Sequence, residues 1–212
     1  MSELYRLKRL REDQIEEASR VLGRAFQDDP LFVHCCPDPT ERKIKSFIHC
    51  EWVILLGILS GEVYTTSSDI EGVAIWHPYT IEDQKMGVQS KEILRKLRKV
   101  RREVFSDALY RERVALFEEI ANSFQNEHVN FPHWYLSMIG VDPIHQNKGN
   151  GSKLLRMRLA EIDEQNLPCY LHTENERNIK FYEHFGFELI SKNKIPNTGF
   201  FHNAMLRNKK KS

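Results

Sequence analysis

The chain has 212 residues, of which 41% are hydrophobic and 29% are charged, values typical of a globular protein with an apolar core. Its formal net charge is +1, so overall charge does not favour a nucleic-acid or anionic-membrane partner. The longest apolar run, at residues 52–59 (WVILLGIL), is too short to cross a bilayer, which argues against an integral membrane protein.

Four cysteines occur without a C-x-x-C pair or any metal-ligand spacing, and two of them, Cys35 and Cys36, are adjacent. This usage predicts reduced thiols rather than a disulfide framework, and no metal site is expected. The amino terminus is polar and lacks the apolar segment of a signal peptide. We therefore expect a soluble, cytoplasmic protein.

The amino-terminal part predicts a strand, two helices and a hairpin. Residues 4–10 alternate like a short strand, and residues 11–26 have helical periodicity until the sequence DDP, where proline blocks a continuing helix. Residues 41–61 predict a second helix that a glycine closes. The β-rich runs 62–67 and 71–79, joined by a turn-like segment, predict a hairpin.

A long helical region follows at residues 90–126, with a predicted break near Ser106. We interpret it as a helical insertion around 84–128 within a single domain spanning 1–212. The basic run RKLRKVRR (95–102) in this region, like RNKKK (207–211) at the end of the chain, is best explained as solvated charge. A role of the first run in attracting an acidic acceptor or protein surface is the alternative.

The carboxy-terminal part predicts the centre of a sheet. Residues 134–141 are almost continuously apolar, as in a central strand covered on both faces. The other predicted elements are a helix after a glycine turn, strands at 168–173, 187–192 and 199–206, and a short helix over 175–186. The order predicts an α/β fold with a mixed sheet.

The glycine turn, HQNKGNGSKLL at residues 145–155, has features of a phosphate-binding loop. Glycines allow close backbone approach, and a helix that starts directly afterwards supplies free N–H groups. A P-loop is excluded because Ser152 and Lys153 stand in reversed order and no glycine lies five residues before Gly151. The dinucleotide fingerprint is excluded because Leu154 occupies its third glycine position.

A third pattern, Q-x-x-G-x-G, is complete from Gln146 to Gly151 and follows the strand end IGVDP. It resembles the coenzyme A pyrophosphate loop of the GNAT superfamily of N-acetyltransferases. A second segment, NERNIKFYEHFGFE at 175–188, is similar to another signature of that superfamily. The motifs are closest to those of puromycin N-acetyltransferase-like members. The resemblance covers about residues 131–190 and continues more weakly over 4–80.

The resemblance implies a mostly antiparallel GNAT sheet, flanked by helices, with a splayed central parallel pair. The pantetheine arm of acetyl-CoA would lie between strands 134–141 and 168–173, paired with the backbone of the first. The residues implied to bind acetyl-CoA are Ile139, Val141, Gln146, Asn147, Lys148, Gly149, Asn150, Gly151, Ser152, Asn175 and Asn178. For the two last asparagines, capping of the following helix is the alternative.

The implied reaction is attack of a neutral amine on the thioester carbonyl. The motif assigns Tyr182 as the acid beside the sulfur, whereas Phe181 and Phe185 are expected to fill the core. For the base, strand alternation places Tyr170, His172 and Glu174 on one face. The puromycin acetyltransferase-like members carry glutamate at the position of His172, so the base stays open between His172 and Glu174.

The acceptor is expected to be a primary amine of a small molecule. A peptide or protein amine, or a non-catalytic acyl-CoA-binding regulatory module, are the alternatives. Trp76, His77, His133 and Trp134 either line the acceptor pocket or fill the core. No nucleic-acid or membrane partner is expected, and a homodimer is compatible with the sequence because an apolar face can pack inward or against a partner.

Overall fold

The computed structural model describes residues 7–79 and 90–209. Within them the strands form one sheet in the order β1-β2-β3-β4-β5-β7-β6, in which β4 and β5 are parallel and all other neighbours are antiparallel. The predicted mixed, mostly antiparallel sheet with one parallel pair is therefore confirmed. The strands are β1 (Lys8–Arg9), β2 (Glu62–Thr65), β3 (Gly72–Tyr79), β4 (His133–Val141), β5 (Cys169–Thr173), β6 (Glu188–Lys194) and β7 (Phe201–Arg207).

Helices cover both faces of this sheet. They are α1 (Ile15–Phe26), α2 (Pro30–Cys35), α3 (Pro39–Ser60), α4 (Lys91–Val104), α5 (Ala108–His128), α6 (Asn150–Glu164) and α7 (Arg177–Glu183). The side chains of Asp29, Asp38 and Asp107 accept hydrogen bonds from the first backbone N–H groups of α2, α3 and α5. Such aspartate caps fix where these helices begin.

Several predicted boundaries need correction. Of the strand predicted at 4–10, only Lys8–Arg9 is a strand, and residues 4–6 lie outside the described part of the chain. The proline that ends the first helix also begins α2, which the sequence analysis missed. The second helix starts at Pro39 rather than at residue 41, because proline suits a first helical position.

The predicted break near Ser106 is confirmed, since α4 ends at Val104 and α5 starts at Ala108. Residues 84–89 of the predicted insertion lie outside the described residues, and the division of the chain into domains stays a prediction. Arg95, Arg98 and Lys99 of the basic run are exposed, in agreement with solvated charge. Arg207 instead pairs with Asp163 at 2.5 Å, so it belongs to β7 and not to a basic tail.

Two apolar clusters hold the helices on the sheet. On one face α1 and α3 pack against β3 through buried residues such as Leu22, Ile54 and Ile75. On the other face α6 packs through Leu154 and Ile162. Burial of each such side chain stabilises the fold by roughly 1.5–3 kcal/mol. All four cysteines are buried and unpaired. No helix among the described residues is long and apolar enough to span a membrane.

The parallel pair separates along its length. β4 and β5 are paired from Trp134↔Cys169 to Leu136↔Leu171. β4 then continues to Val141 in register with β3 only, after a β-bulge that places Ser137 between the pairs Ile75↔Met138 and Trp76↔Leu136. A bulge bends a strand and increases its twist. The result is a gap between the second half of β4 and the end of β5.

Candidate active site

A cavity of about 470 Å³ lies beside the gap between β4 and β5. The middle of β4, the end of β5 and Tyr182 of α7 form one side, and α1, α2, α3 and α5 form the other. Its volume is within the range of pockets for small molecules. The lining residues used below are Phe26, Asp29, Phe32, Trp52, His77, Phe117, Glu118, Asn122, Tyr135, Ile139, His172, Glu174, Asn178 and Tyr182.

The second half of β4 has a backbone edge that no described β5 residue covers. The Asp142 N–H donates to the Glu71 carbonyl at 2.9 Å, towards the β3 side. Because backbone groups alternate in direction along a strand, those of Val141 and Ile139 point away from β3, into the gap. The Gln146 side chain donates to the Val141 carbonyl at 3.1 Å. The Ile139 backbone and the Val141 N–H are left for a ligand.

The glycine turn ends with Gly149, whose φ of 81° places it in the left-handed region. No side chain caps α6, and the first bond into the helix runs from the Lys153 N–H to the Gly149 carbonyl at 2.9 Å. Among the described residues, no acceptor is seen for the N–H groups of Asn150, Gly151 and Ser152. Free N–H groups at a helix start attract anions.

The turn fits a pyrophosphate also in shape. A Cβ atom at Gly149 would meet no other atom within 4 Å, so the space beside it is open. Asn147, with φ of 60°, provides the sharp bend before it. The Asn150 amide donates to the His145 carbonyl and Lys148 Nζ to the Ile144 carbonyl, so these side chains brace the loop from within.

The two predicted asparagines differ in their surroundings. Asn175 Oδ1 accepts a hydrogen bond from the Arg177 N–H at 3.2 Å, as in the turn that starts α7. Asn178 lines the cavity, and its Nδ2 lies 3.5 Å from the Thr173 hydroxyl. The capping alternative therefore describes Asn175, while Asn178 is available to a ligand in the gap.

His172, Glu174 and Tyr135 lie together on the cavity wall, and the fully buried His202 lies behind them. Nδ1 of His172 is 3.1 Å from Glu174 Oε1, and Nδ1 of His202 is 3.2 Å from the same oxygen. The Tyr135 hydroxyl is 2.8 Å from Nε2 of His172. With Nδ1–H donating to the carboxylate, Nε2 of a neutral His172 accepts from the Tyr135 O–H; this tautomer follows from the network.

The network determines the charge of Glu174. Burial alone would raise the pKa of this carboxyl, but the attraction of a protonated His172 and the hydrogen bonds from His172 and His202 outweigh burial and lower its pKa to about 2. Burial lowers the pKa of His202, which is fully buried in β7. Glu174 is therefore ionised at neutral pH and orients the two imidazoles.

Tyr182 is the one buried residue of α7, and it lines the cavity. Burial, together with the nearby carboxylates of Asp29 and Glu174, raises the pKa of its phenol. A phenol in this setting keeps its proton and can donate it. Phe181 and Phe185 pack against the apolar cluster around Leu154, as expected, but both are only half-buried, whereas Tyr182 is 6% exposed.

His172, Glu174 and His202 also offer three possible metal-ligand atoms within 4.8 Å of one another. Two imidazole nitrogens and a carboxylate oxygen are a donor set that zinc accepts. Here both Nδ1 atoms lie at hydrogen-bond distance from the same carboxylate oxygen, so the three side chains are connected by direct hydrogen bonds.

Three residues of this site were not predicted from the sequence: Asp29, Tyr135 and His202. Of the four aromatic residues that it considered for an acceptor pocket, only His77 lines the described cavity. Trp76, His133 and Trp134 are buried elsewhere in the core. Trp76 and His77 are consecutive in β3, so their side chains point to opposite faces of the sheet, and only one of the two can face the cavity.

Residues 109–189 match the family described as Acetyltransferase (GNAT) domain. Over these residues the chain is similar to a GNAT acetyltransferase domain. An uncharacterized N-acetyltransferase of Schizosaccharomyces pombe is 27% identical over 187 residues, which are 85% of this chain and 73% of that protein. The domain and this relative support an N-acetyltransferase enzyme, and GNAT acetyltransferases use acetyl-CoA. Closeness to puromycin acetyltransferases is not among these findings.

Solved structures share the GNAT fold over nearly the whole chain. A Corynebacterium glutamicum protein described as histone acetyltransferase HPA2 and related acetyltransferase has a TM-score of 0.66 and 20% identity, covering 97% of both chains. Arylalkylamine N-acetyltransferase 2 of Aedes aegypti has a TM-score of 0.57 and 13% identity, covering 97% of this chain and 99% of its own. At these identities the likeness concerns the fold alone.

Proposed function

We propose that this protein transfers the acetyl group of acetyl-CoA to a primary amine of a small molecule, by direct attack of the amine on the thioester. The observation that carries the proposal is the position of the cavity. It joins the uncovered edge of β4, where an acyl-CoA arm fits, to Tyr182 and the His172–Glu174 pair. A cavity of this size, rather than an open groove, supports a small acceptor.

The donor side consists of the glycine turn and the β4 edge. The N–H groups that start α6 would hold the pyrophosphate of acetyl-CoA, and the backbone of Ile139 and the N–H of Val141 would pair with its pantetheine arm. Asn178 would add a hydrogen bond near the thioester. When bound, acetyl-CoA supplies the acetyl group as an activated thioester.

The acceptor arrives mostly as an ammonium ion, since alkyl amines titrate near ~10. We assign His172 as the base that takes its proton, through the Tyr135 hydroxyl that lies 2.8 Å from Nε2. Glu174 stays ionised and stabilises the imidazolium that forms. The base left open between His172 and Glu174 is thus His172, with Glu174 as its positioning carboxylate.

Attack forms the N–C bond, and collapse of the tetrahedral intermediate breaks the C–S bond. The leaving thiolate needs a proton, and Tyr182 is placed to supply it because its phenol lines the cavity and is protonated at neutral pH. The acetylated nitrogen then loses its second proton, which restores the phenol of Tyr182. The products are the acetamide and free coenzyme A, and His172 keeps the first proton until solvent removes it.

The Tyr182→Phe variant tests this assignment. We expect kcat to fall by about 100-fold, because general acid catalysis contributes roughly that much or more, while KM for acetyl-CoA stays within about twofold of wild type. Release of coenzyme A thiol in the presence of amines measures both constants. Tyr79→Phe is the matched control, since Tyr79 bonds to Asn126 at the surface and does not line the cavity.

An unchanged rate in Tyr182→Phe would remove Tyr182 from the mechanism. Thermal-shift measurements with acetyl-CoA, coenzyme A and ATP test the donor site separately. Stabilisation by acetyl-CoA without turnover of any amine would favour the alternative of an acyl-CoA-binding module. Stabilisation by ATP alone would overturn the assignment of the turn to coenzyme A.

A further inference from the structure

The charges that line the cavity are of one sign. Its acidic residues are Asp29, Glu118 and Glu174, and none of the described residues that line it is Lys or Arg. Glu174 is compensated by the two imidazoles that donate to it. Glu118 is exposed to solvent. Asp29 is therefore the half-buried carboxylate of the cavity that forms no ion pair among the described residues, although the charge of His172 acts on it from a distance.

Asp29 is held in place by the backbone. It lies in the turn between α1 and α2, and its Oδ1 accepts the Leu31 N–H at 3.0 Å, which caps α2. Burial and the nearby charge of Glu174 raise its pKa to about 7. Desolvated carboxylates are stabilised when a cation lies beside them. Asp29 and Tyr182 both line the cavity, and the charge of Asp29 helps to raise the pKa of the Tyr182 phenol.

The acceptor side also contains several aromatic residues. Phe26 and Phe32 lie beside Asp29 in sequence, and Trp52 and Phe117 come from α3 and α5. Phe26 and Phe32 contact each other with ring centroids 5.8 Å apart. Aromatic faces bind both apolar bodies and organic cations. This wall thus complements a ligand that carries one positive group on an apolar frame.

We propose that the acceptor is an alkylammonium compound with an aromatic or aliphatic body and no carboxylate, and that Asp29 binds its ammonium group beside Tyr182. This inference rests on the proposed function and names the substrate class of the same site. An acceptor with a carboxylate next to its amine would bring a negative charge close to Asp29 and Glu174, and such like-charge contacts disfavour binding. Amino acids are therefore poor acceptors.

The test compares two acceptors that differ by one carboxylate, 2-phenylethylamine and L-phenylalanine, with saturating acetyl-CoA. We expect kcat/KM to be at least about 100-fold higher for 2-phenylethylamine, which corresponds to about 2.8 kcal/mol. In Asp29→Asn we expect KM for 2-phenylethylamine to rise about tenfold and KM for acetyl-CoA to stay unchanged. The ratio of kcat/KM for 2-phenylethylamine to that for L-phenylalanine should become smaller.

Asparagine also caps helices well, so Asp29→Asn removes the charge and retains the start of α2. Asp38→Asn is the matched control: Asp38 caps α3 in the same manner but does not line the cavity, and we expect wild-type kinetics. An unchanged KM for 2-phenylethylamine in Asp29→Asn would overturn the inference. Turnover of that amine would still support the proposed function.

A tetrapeptide serves as the third acceptor. Faster turnover of the tetrapeptide or of L-phenylalanine than of 2-phenylethylamine would also overturn the inference, although N-acetyl transfer itself would be demonstrated. Absence of thiol release with all three acceptors, from a protein that acetyl-CoA stabilises, would instead contradict the proposed function, and the inference would fall with it.

Discussion

Glu174 lies between two imidazoles, and both help to orient its carboxylate. His172 faces the cavity, whereas His202 is fully buried in β7 with the ring of Phe124 stacked on it at 5.4 Å. The two Nδ1 atoms donate to one oxygen and hold the carboxylate in a fixed orientation. We therefore propose that His202 is a positioning residue for His172, which it contacts with ring centroids 4.7 Å apart and with which it shares Glu174.

Replacing His202 by leucine removes one of these donors. We expect kcat to fall about tenfold, since a hydrogen bond to a charged group is worth roughly 1.5–3 kcal/mol, while KM for acetyl-CoA remains unchanged. His202→Asn keeps an N–H donor and should restore most of the rate. Steady-state kinetics at neutral pH measure both variants. Equal rates for the Leu and Asn variants would show that His202 serves packing alone.

The sequence identified part of this network. Period-two alternation in the strand and the motif that follows it were enough to place His172 and Glu174 together. His202 could not be found in this way, because β7 returns between β5 and β6, so that Ala204 is paired with His172. Asp29 and Tyr135 join the site across long sequence separations for which the chain has no local pattern.

At the scale of elements, the start of α6 depends on the left-handed backbone of Gly149. Gly149→Ala strains this conformation by roughly 1–2 kcal/mol and should distort the N–H groups that follow. We expect the Kd of acetyl-CoA to increase at least about fivefold, measured by isothermal titration calorimetry. Because the proposed donor site depends on the geometry of this turn, Gly149→Ala should weaken acetyl-CoA binding as well as lower the stability of the fold.

Gly186 provides the matched control. Its φ of 84° is nearly that of Gly149, and an added Cβ there would approach only Arg207 Nε at 3.6 Å. Gly186→Ala should lower the free energy of unfolding by a similar amount and leave acetyl-CoA binding unchanged. Equal losses of affinity in the two variants would mean that general destabilisation, not the turn, governs binding.

Most elements were predictable because their patterns are local. The hairpin, the strand 134–141 and the break between α4 and α5 follow from periodicity and turn residues. α2 was not predicted because its six residues are too few to show a helical period. The bulge at Ser137 has no sequence signature, yet it marks where β4 and β5 separate.

At the scale of the whole molecule, two carboxyls tie stability to pH with opposite signs. Glu174 has a folded-state pKa of about 2, below its unfolded value near ~4.3, so its contribution is complete above that value and is lost as pH falls towards 2. Glu174→Gln should lower the free energy of unfolding at pH 7, and the difference from wild type should shrink at pH 3. Urea unfolding at the two pH values measures it.

Asp29 behaves oppositely, because its folded-state pKa of about 7 lies above the unfolded value near ~3.9. Its ionisation disfavours the fold as pH rises from about 4 to 7. Asp29→Asn should therefore gain stability relative to wild type between pH 5 and pH 8. If the free energies of unfolding of Glu174→Gln and Asp29→Asn, each relative to wild type, changed with pH in the same direction, the opposite pKa shifts of the two carboxyls would be contradicted.

The two sides of the gap between β4 and β5 come from different parts of the sequence. Every described cavity-lining residue of the helical acceptor wall comes from residues 26–122, whereas the proposed donor groups lie between residues 139 and 182. Mutations that alter the choice of amine can therefore accumulate in residues 26–122, while the donor groups between residues 139 and 182 are inherited unchanged. Protein lineages that diverge in this way would keep a recognisable acetyl-CoA signature, and ancestry read from residues 131–190 would group enzymes by donor rather than by acceptor.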